Sequence, residues 1–413
     1  MKILHLNAMM DNGGAARACL RLHEALLKAN VESEVLVQER TSDRRLVHSA
    51  HSRLGKIFNK LRPYLDKAPI LLYPNRTKAP FNLAWLPFSF VLKEIDRINP
   101  DIVHLHWIGR GMLPIRDLAK IKQPIVWSLH DMWAFSAGEH IHVTNHKEKT
   151  IKKSSVLNSK LPYDLSYLNF LAKKRTYQKI PNLHIIGLSQ WLSGCAKEST
   201  LLKDKFHYCL PNCIDTNLFK PLDKAFCKNL LNISSAKKLI GFGAINAMGD
   251  NNKGIDLLLE ALKLLDKNLK IECVIFGANE PKNPIDLGFK THFLGHLNDE
   301  FSLIVLYNLL DCVIVPSRQE NLSNVIMESL ACATPVVGFN IGGNSDLIEH
   351  KMNGYLAKPF ETQDLKEGIE WVINTPNYEE LCQNARTKVL ENFSDEVVAQ
   401  KYIKLYESVL KTC

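Results

Sequence analysis

Short apolar runs alternate with amphipathic stretches from the first residues onward. Ile3–Leu6, Glu34–Gln38, Ile102–Leu105, Ile125–Leu129 and Ile185–Leu188 each read as a buried strand followed by a loop or helix. Asn12-Gly-Gly-Ala-Ala-Arg17 is a glycine turn that opens a helix over about Ala15–Lys28. This is the βαβ rhythm of a parallel sheet, so the chain is predicted to be α/β. Residues 41–86 and the Lys-rich stretch after Gly138 interrupt the rhythm and read as insertions at the edge or mouth of that sheet. The rhythm restarts with strands at Leu239–Phe242, Cys273–Phe276, His292–Leu294 and Cys312–Val315. Helices are expected at about Ile255–Leu265, Phe301–Leu310, Asn321–Cys332 and Leu365–Ile373. Two Rossmann-like halves follow, facing a central cleft: residues 1–210 and 222–392, joined by a Pro- and Asn-rich linker at 211–221. Beyond Pro376 only helical patterns remain, and residues 393–413 form a last separate helix.

Composition narrows the class only a little. The 413 residues are 46% hydrophobic and 23% charged, ordinary for a globular chain with ample core. The 10 cysteines include no CxxC pair, which fits reduced thiols in a cytoplasmic protein. Met1–Asn7 is too short and polar for a signal peptide, and no run reaches membrane-spanning length. The distribution of the net charge of +9 says more than its sum. Between His51 and Phe90 stand seven Lys or Arg (Arg53, Lys56, Lys60, Arg62, Lys67, Arg76, Lys78) against one acid, Asp66. Leu54, Ile57, Phe58 and Leu61 recur among them at helical spacing, the pattern of a helix lying on an anionic membrane surface. A solvated helix with a small packing face would have the same composition. The stretch from Lys147 to Arg175 is also basic, yet neither stretch interleaves aromatics as nucleic-acid stacking requires, so nucleic acid is not an expected partner.

The candidate chemistry concentrates in Pro316-Ser-Arg-Gln-Glu-Asn-Leu-Ser-Asn-Val-Ile-Met-Glu-Ser-Leu-Ala-Cys-Ala-Thr-Pro-Val-Val-Gly338. Glu320 stands at the mouth of a helix starting near Asn321, and Glu328, eight residues on, lies on nearly the same face. The N–H groups of Asn321, Leu322 and Ser323 would lie at the helix's positive end. Amides there suit a diphosphate, and the two carboxylates suit ribose and sugar hydroxyls. Gly13 and Gly14, directly after the first strand, let backbone approach a phosphate or substrate. The full GxGxxG fingerprint is missing, which disfavours nicotinamide or flavin. Ser128-Leu-His-Asp131 ends a strand, so His130 points toward the ligand crevice, with Asp131 either orienting its imidazole or capping a turn. Lys253-Gly254 opens the helix after the second half's first strand. His140, His142 and His146 lack an acid or cysteine at standard ligand spacing, and no DxD motif is present, so neither metal nor cofactor is expected.

The flanks of the glutamate pair are Pro335-Val-Val-Gly, Ile341-Gly-Gly-Asn-Ser-Asp-Leu-Ile-Glu349 and Lys351-Met-Asn-Gly-Tyr-Leu-Ala357. Together they resemble the donor-site motif of glycosyltransferase family 4, retaining enzymes of the GT-B fold. The likeness is strongest from about Ile240 to Ala357. It implies donor contacts at Gly13, Gly14, Lys253, Asn321, Leu322, Ser323 and Glu328, and catalytic roles at the sugar for His130 and Glu320. It implies a hexosyltransferase that takes a UDP- or GDP-sugar to a lipid-linked glycan in surface polysaccharide, lipopolysaccharide or O-antigen synthesis. Such an enzyme would work in the cytoplasm, peripheral to the inner face of the cell membrane, with residues 1–210 binding the acceptor and the last helix crossing back to them. Many relatives carry an arginine ahead of the lysine. Gly243–Asn252 has none, which leaves Arg318 or Arg17 to compensate. A nucleotide-sugar epimerase of the same fold and a non-catalytic glycan-binding protein remain the alternatives.

Overall fold

The structure, a computed structural model, describes residues 1–141, 152–243, 250–280, 286–297 and 299–412. The chain divides into two compact units, residues 1–213 with 398–413, and residues 214–397.

The first unit is built on seven parallel strands: β1 (Lys2–Asn7), β2 (Glu32–Val37), β3 (Val47–His48), β4 (Ile102–Leu105), β5 (Ile125–Leu129), β6 (Leu183–Gly187) and β7 (Phe206–Cys209). Their order is β3-β2-β1-β4-β5-β6-β7. Alternating side chains feed two cores. Leu4, Leu6, Val103, Leu105 and Trp127 enter one, while Val35 and Val37 meet Cys19 and Leu20 of α1 (Gly14–Lys28) in another. Burial on both faces explains the near-continuous apolar runs. The edge strands β3 and β7 escaped the sequence reading because β3 has two residues and β7 is only partly buried, so neither carries a strong apolar signal.

The helices of this unit are α1, α2 (Arg53–Lys67), α3 (Val91–Ile98), α4 (Leu165–Tyr177) and α5 (Gln190–Glu198). α2 is inverted. It buries Asn59, Arg62 and Asp66 and turns Leu54 (81% exposed), Ile57 (58%), Leu61 (51%) and Tyr64 (75%) outward. Arg62, counted among the surface cations by its sequence context, is instead fully buried. Its guanidinium donates to the carbonyls of Leu86 (2.9 Å), Pro87 (2.9 Å) and Gly111, binding the following loop to the helix. Lys173 of the second basic stretch is likewise buried, donating to the Trp133 and Ser136 carbonyls.

The second unit carries six parallel strands, β8 (Lys238–Gly243), β9 (Ile271–Phe276), β10 (Thr291–Phe293), β11 (Cys312–Val315), β12 (Val336–Phe339) and β13 (Gly354–Ala357), ordered β10-β9-β8-β11-β12-β13. Its helices are α6 (Lys224–Leu230), α7 (Ile255–Leu264), α8 (Glu300–Leu309), α9 (Asn324–Ala331), α10 (Asn344–Leu347), α11 (Thr362–Asn374) and α12 (Tyr378–Asn392). The final helix, α13 (Asp395–Lys411), lies in the first unit from Val398 onward, where Tyr402 and Tyr406 are buried against the sheet.

In each sheet the strand order reverses once, between β1 and β4 and between β8 and β11. Loops leaving the carboxyl ends of those strands diverge, and such switch points are where open α/β sheets bind ligands.

Candidate functional site

In the second unit the candidate residues gather at the β8–β11 switch point, and two glycines make this possible. Gly254 has φ +69°, and a Cβ there would lie 2.0 Å from the Pro316 carbonyl oxygen. Only glycine lets the turn after β8 lie against the end of β11. Backbone seals the contact: Arg318 N–H donates to Asn252 O (2.8 Å), and Asn252 Nδ2 donates to Gln319 O (2.9 Å). From the other side Gly342, φ +52°, would put a Cβ 1.8 Å from Glu320 O, and Gly343 N–H donates to that oxygen at 3.1 Å. Glu320 is therefore clasped through its backbone. Its side chain meets Lys253, with Nζ 2.7 Å from Oε1. Glu320 raises the Lys253 pKa and keeps the ammonium charged.

The helix begins later than its sequence suggests. α9 starts at Asn324 with Ser323 as N-cap, so Asn321 and Leu322 belong to the loop and Glu320 is on no helix face. The Gly342–Gly343 clasp on the Glu320 carbonyl holds the preceding backbone out of helical register, and Ser323 takes the N-cap position in extended conformation. Glu328 is the fifth residue of α9 and 1% exposed, with the Tyr307 hydroxyl of α8 donating to its Oε2 at 2.9 Å. Tyr307 was hidden in the sequence inside an otherwise apolar helix; a buried phenol needs an acceptor, and that is the only signal it gave. Arg318 is occupied. Both terminal guanidinium nitrogens reach Asp256, one at 2.9 Å, and Nη1 also donates to Asn251 O at 2.7 Å. Arg17 is half-buried in α1, in the first unit.

In the first unit five residues, Ala8–Asn12, separate β1 from the glycine pair, which therefore does not follow the strand directly. Gly13 is the N-cap of α1 at φ +93°, and a Cβ there would meet nothing within 4 Å. Its glycine is required by backbone angle, and the space before the helix is open. A cavity of ≈ 240 Å³ adjoins this loop, lined by Met9, Asp11, Asn12, Gln38, Asn59 and Arg110 among others.

His130 sits just past β5, half-buried, with Nε2 3.0 Å from His106 Nδ1. Burial pushes its pKa down to about 4. Asp131 binds elsewhere: Oδ2 receives His140 Nδ1 (2.6 Å) and Trp107 Nε1 (3.1 Å), and Oδ1 caps the turn through Trp133 N–H (2.8 Å). His140 Nε2 meets Asn82 at 2.6 Å, so both of its ring nitrogens already have protein partners. His142 and His146 lie outside the described residues. His106 and His5, which carry the hydrogen bonds behind His130, went unread. The signal for His106 was the alternation His104-Leu-His106, which puts two imidazoles on one side of a strand and its exit, whereas His5, a single histidine between leucines of β1, gave none. The nine described cysteines form no disulfide.

Two Rossmann-like parallel-sheet units, each with its candidate residues at a switch point, define the GT-B fold. The sucrose-phosphate synthase of Thermosynechococcus elongatus shares it over 100% of both chains, with a TM-score of 0.70 at 16% identity. Anabaena HepE in complex with UDP-glucose shares it over 99% of this chain and 100% of its own, at 0.66 and 17%. The family model Glycosyltransferase Family 4 matches residues 12–173, and Glycosyl transferases group 1 matches residues 245–389. The chain belongs to glycosyltransferase family 4. It is similar to the capsular polysaccharide biosynthesis glycosyltransferase CapM of Staphylococcus aureus, 26% identical over 170 residues, 39% of this chain. That match spans 44% of CapM's length, less than half of the relative.

Proposed function

We propose that the protein is a retaining hexosyltransferase that moves a sugar from a UDP- or GDP-sugar to a hydroxyl of a lipid-linked glycan, without a metal ion, in the synthesis of a surface polysaccharide. One observation carries this reading. Lys253 and Glu320, 67 residues apart, are brought to 2.7 Å by two glycine turns that tolerate no side chain. Structural stability alone gives little reason for such a pair, because the cost of taking two charges largely out of water offsets most of their attraction. As a charge poised for a ligand it has a purpose. Lys253 would turn to the diphosphate, and Glu320 would accept from sugar hydroxyls. Glu328, its Oε2 held by Tyr307, would accept from ribose hydroxyls. Asn321, Leu322 and Ser323 would offer backbone amides, with Ser323 closest to the positive end of α9.

In the transfer, the acceptor oxygen forms the new bond to the anomeric carbon on the face from which the diphosphate departs. A phosphate oxygen of the leaving group takes the acceptor's proton. The protein's share is then positioning and charge stabilisation rather than a strong base. His130, kept neutral, and the Gly13–Gly14 turn are assigned to the donor by the family resemblance. HepE, solved with UDP-glucose, makes that donor the first to test.

The outward apolar face of α2 supports a membrane-bound acceptor. It is flanked by Arg53, Lys56, Lys60 and Lys67, and its burial in lipid would combine apolar area with attraction to anionic headgroups. Among the described residues no helix is long and apolar enough to cross a membrane, so contact through α2 would be peripheral. A screen of nucleotide sugars, counting released nucleoside diphosphate with and without EDTA, tests the proposal. Turnover that survives EDTA is expected. Absence of both turnover and thermal protection by UDP or GDP would reduce the protein to a scaffold.

A further inference from the structure

The backbone on both sides of Lys253 is gripped by one side chain, Arg318. That residue stands two positions before Glu320, on the segment leaving β11. Its Nη1 donates to the Asn251 carbonyl at 2.7 Å and to Asp256 Oδ1 at 2.9 Å, and its Nη2 donates to Asp256 Oδ2. Asn251 lies two residues before Lys253 and Asp256 three after it, so the guanidinium spans the lysine. Main-chain contacts brace the same place. Arg318 N–H donates to Asn252 O at 2.8 Å, and Lys253 N–H closes its turn on Asp250 O at 2.9 Å.

A guanidinium fork fixes direction as well as distance, because parallel N–H groups meet both carboxylate oxygens. Stability is a weak reason for this fork. Asp256 is exposed and Arg318 half-buried, and a carboxylate facing water loses little by keeping water as its partner. What the fork does fix is the start of α7 and the turn that carries Lys253. Lys253 Nζ lies 2.7 Å from Glu320 Oε1 and would have to leave it to meet a diphosphate. A lysine is a point charge on a flexible stem, so where its backbone is held sets where the charge can go. Holding that backbone beforehand lowers the ordering cost of the new contact. Arg318 cannot serve the phosphate at the same time. Both terminal nitrogens are engaged, and turning them away would strip the Asn251 carbonyl and the Asp256 carboxylate of this donor.

We propose that Arg318 is a positioning residue for the donor: it touches no phosphate, and with Asp256 it pins the turn from which Lys253 reaches the diphosphate. The inference rests on the donor role of Lys253 proposed above. The competing role for Arg318 is a direct phosphate contact, made by letting go of Asp256.

Titration calorimetry of the full chain with UDP and with GDP separates the two. Arg318→Ala combined with Asp256→Ala removes the fork and leaves the net charge unchanged. The same pair of substitutions is also made in a Lys253→Ala background. In the wild-type background the pair should weaken binding about three- to thirtyfold, the scale of coupling between residues in contact, and by no more than Lys253→Ala alone. In the Lys253→Ala background it should cost nothing further, because Arg318 acts through the lysine. A merely structural role would not vanish in that background. Arg318→Met with Asp256→Asn keeps the bulk of both side chains and is read in the same way should the alanine pair fold poorly. A loss that persists without Lys253 overturns the proposal and makes Arg318 a phosphate ligand. Unchanged affinity in the wild-type background also overturns it, and leaves the Lys253–Glu320 reading standing. A wild type that binds neither UDP nor GDP overturns that reading and this inference with it.

Discussion

The two units prepare their switch points by opposite means. The second holds charge: Lys253 and Glu320 are partly exposed, paired at 2.7 Å, and fixed through backbone by Gly254 and Gly342. The first holds neutrality: His5, His106 and His130 are linked by hydrogen bonds and stripped of charge by burial. A preformed pair can exchange partners when a phosphate arrives, since Glu320 already keeps the Lys253 ammonium charged. The imidazoles of the first unit carry no such charge, because burial lowers their pKa values. The contrast is one of charge: the second unit keeps an ion pair at its switch point, and the first keeps its imidazoles neutral.

The largest expected effect comes from deleting one group on each side of this contrast. Glu320→Ala and His130→Ala should each lower turnover of the intact nucleotide sugar by roughly 10²–10³-fold, the scale of losing one preorganised polar contact to a transition state. Binding of the bare nucleoside diphosphate should change far less. Near wild-type turnover in either variant would remove that residue from the reaction.

Next in size, Glu328→Ala should weaken nucleoside diphosphate binding by roughly ten- to a hundredfold, or about 1.5–3 kcal/mol, read by titration calorimetry. Tyr307→Phe removes only the hydrogen bond to Oε2 and should cost about 0.5–1.5 kcal/mol, a smaller fraction of the same effect. Unchanged affinity in Glu328→Ala would sink its assignment to ribose.

The neutral imidazoles make the first unit the acid-sensitive one. Burial lowers the pKa to about 4 for His130 and His23 and to about 3 for His104, against about 6.5 in the unfolded chain. Between those values the unfolded chain binds more protons, so stability falls as pH drops from about 6.5 toward 4. Thermal scans at pH 7 and pH 4.5 should show the midpoint falling by about 2–4 °C for each kcal/mol lost. A midpoint that rises on acidification would contradict the neutral series. Lys253, whose pKa is raised by Glu320, adds stability that is lost only as pH climbs above about 10.5, outside this window.

The smallest effect concerns α2. Co-sedimentation with anionic vesicles should weaken as salt rises and again in Lys56→Glu, Lys60→Glu, at about 1 kcal/mol per basic residue. Lys60 already faces Glu39 at 3.2 Å, so its share should be the lesser one. Equal binding to neutral vesicles would leave the outward face of α2 to another partner.

How far the sequence alone reaches depends on the range of the force involved. Apolar periodicity located most of the central strands, because burial on both faces leaves runs such as Cys312–Val315, although the central and equally buried Val336–Phe339 went unread. The order of glutamates, glycines and lysine in 240–357 singled out Lys253 and Glu320, which the fold brings to 2.7 Å of one another. Wherever a partner lay far along the chain, the reading failed. Arg62 looked like a surface cation until the carbonyls of Leu86, Pro87 and Gly111 took up its guanidinium. α9 started late because Gly342, more than a turn beyond the helix's end, clasps Glu320. Asp131 stands beside His130 in sequence yet pairs with His140, while His130 is oriented by His106, 24 residues away. Local propensity and pattern set the elements. Which polar group finally satisfies which is decided only when the strands pair, because a buried donor takes the acceptor that the fold, and not the neighbouring residue, puts within 3 Å.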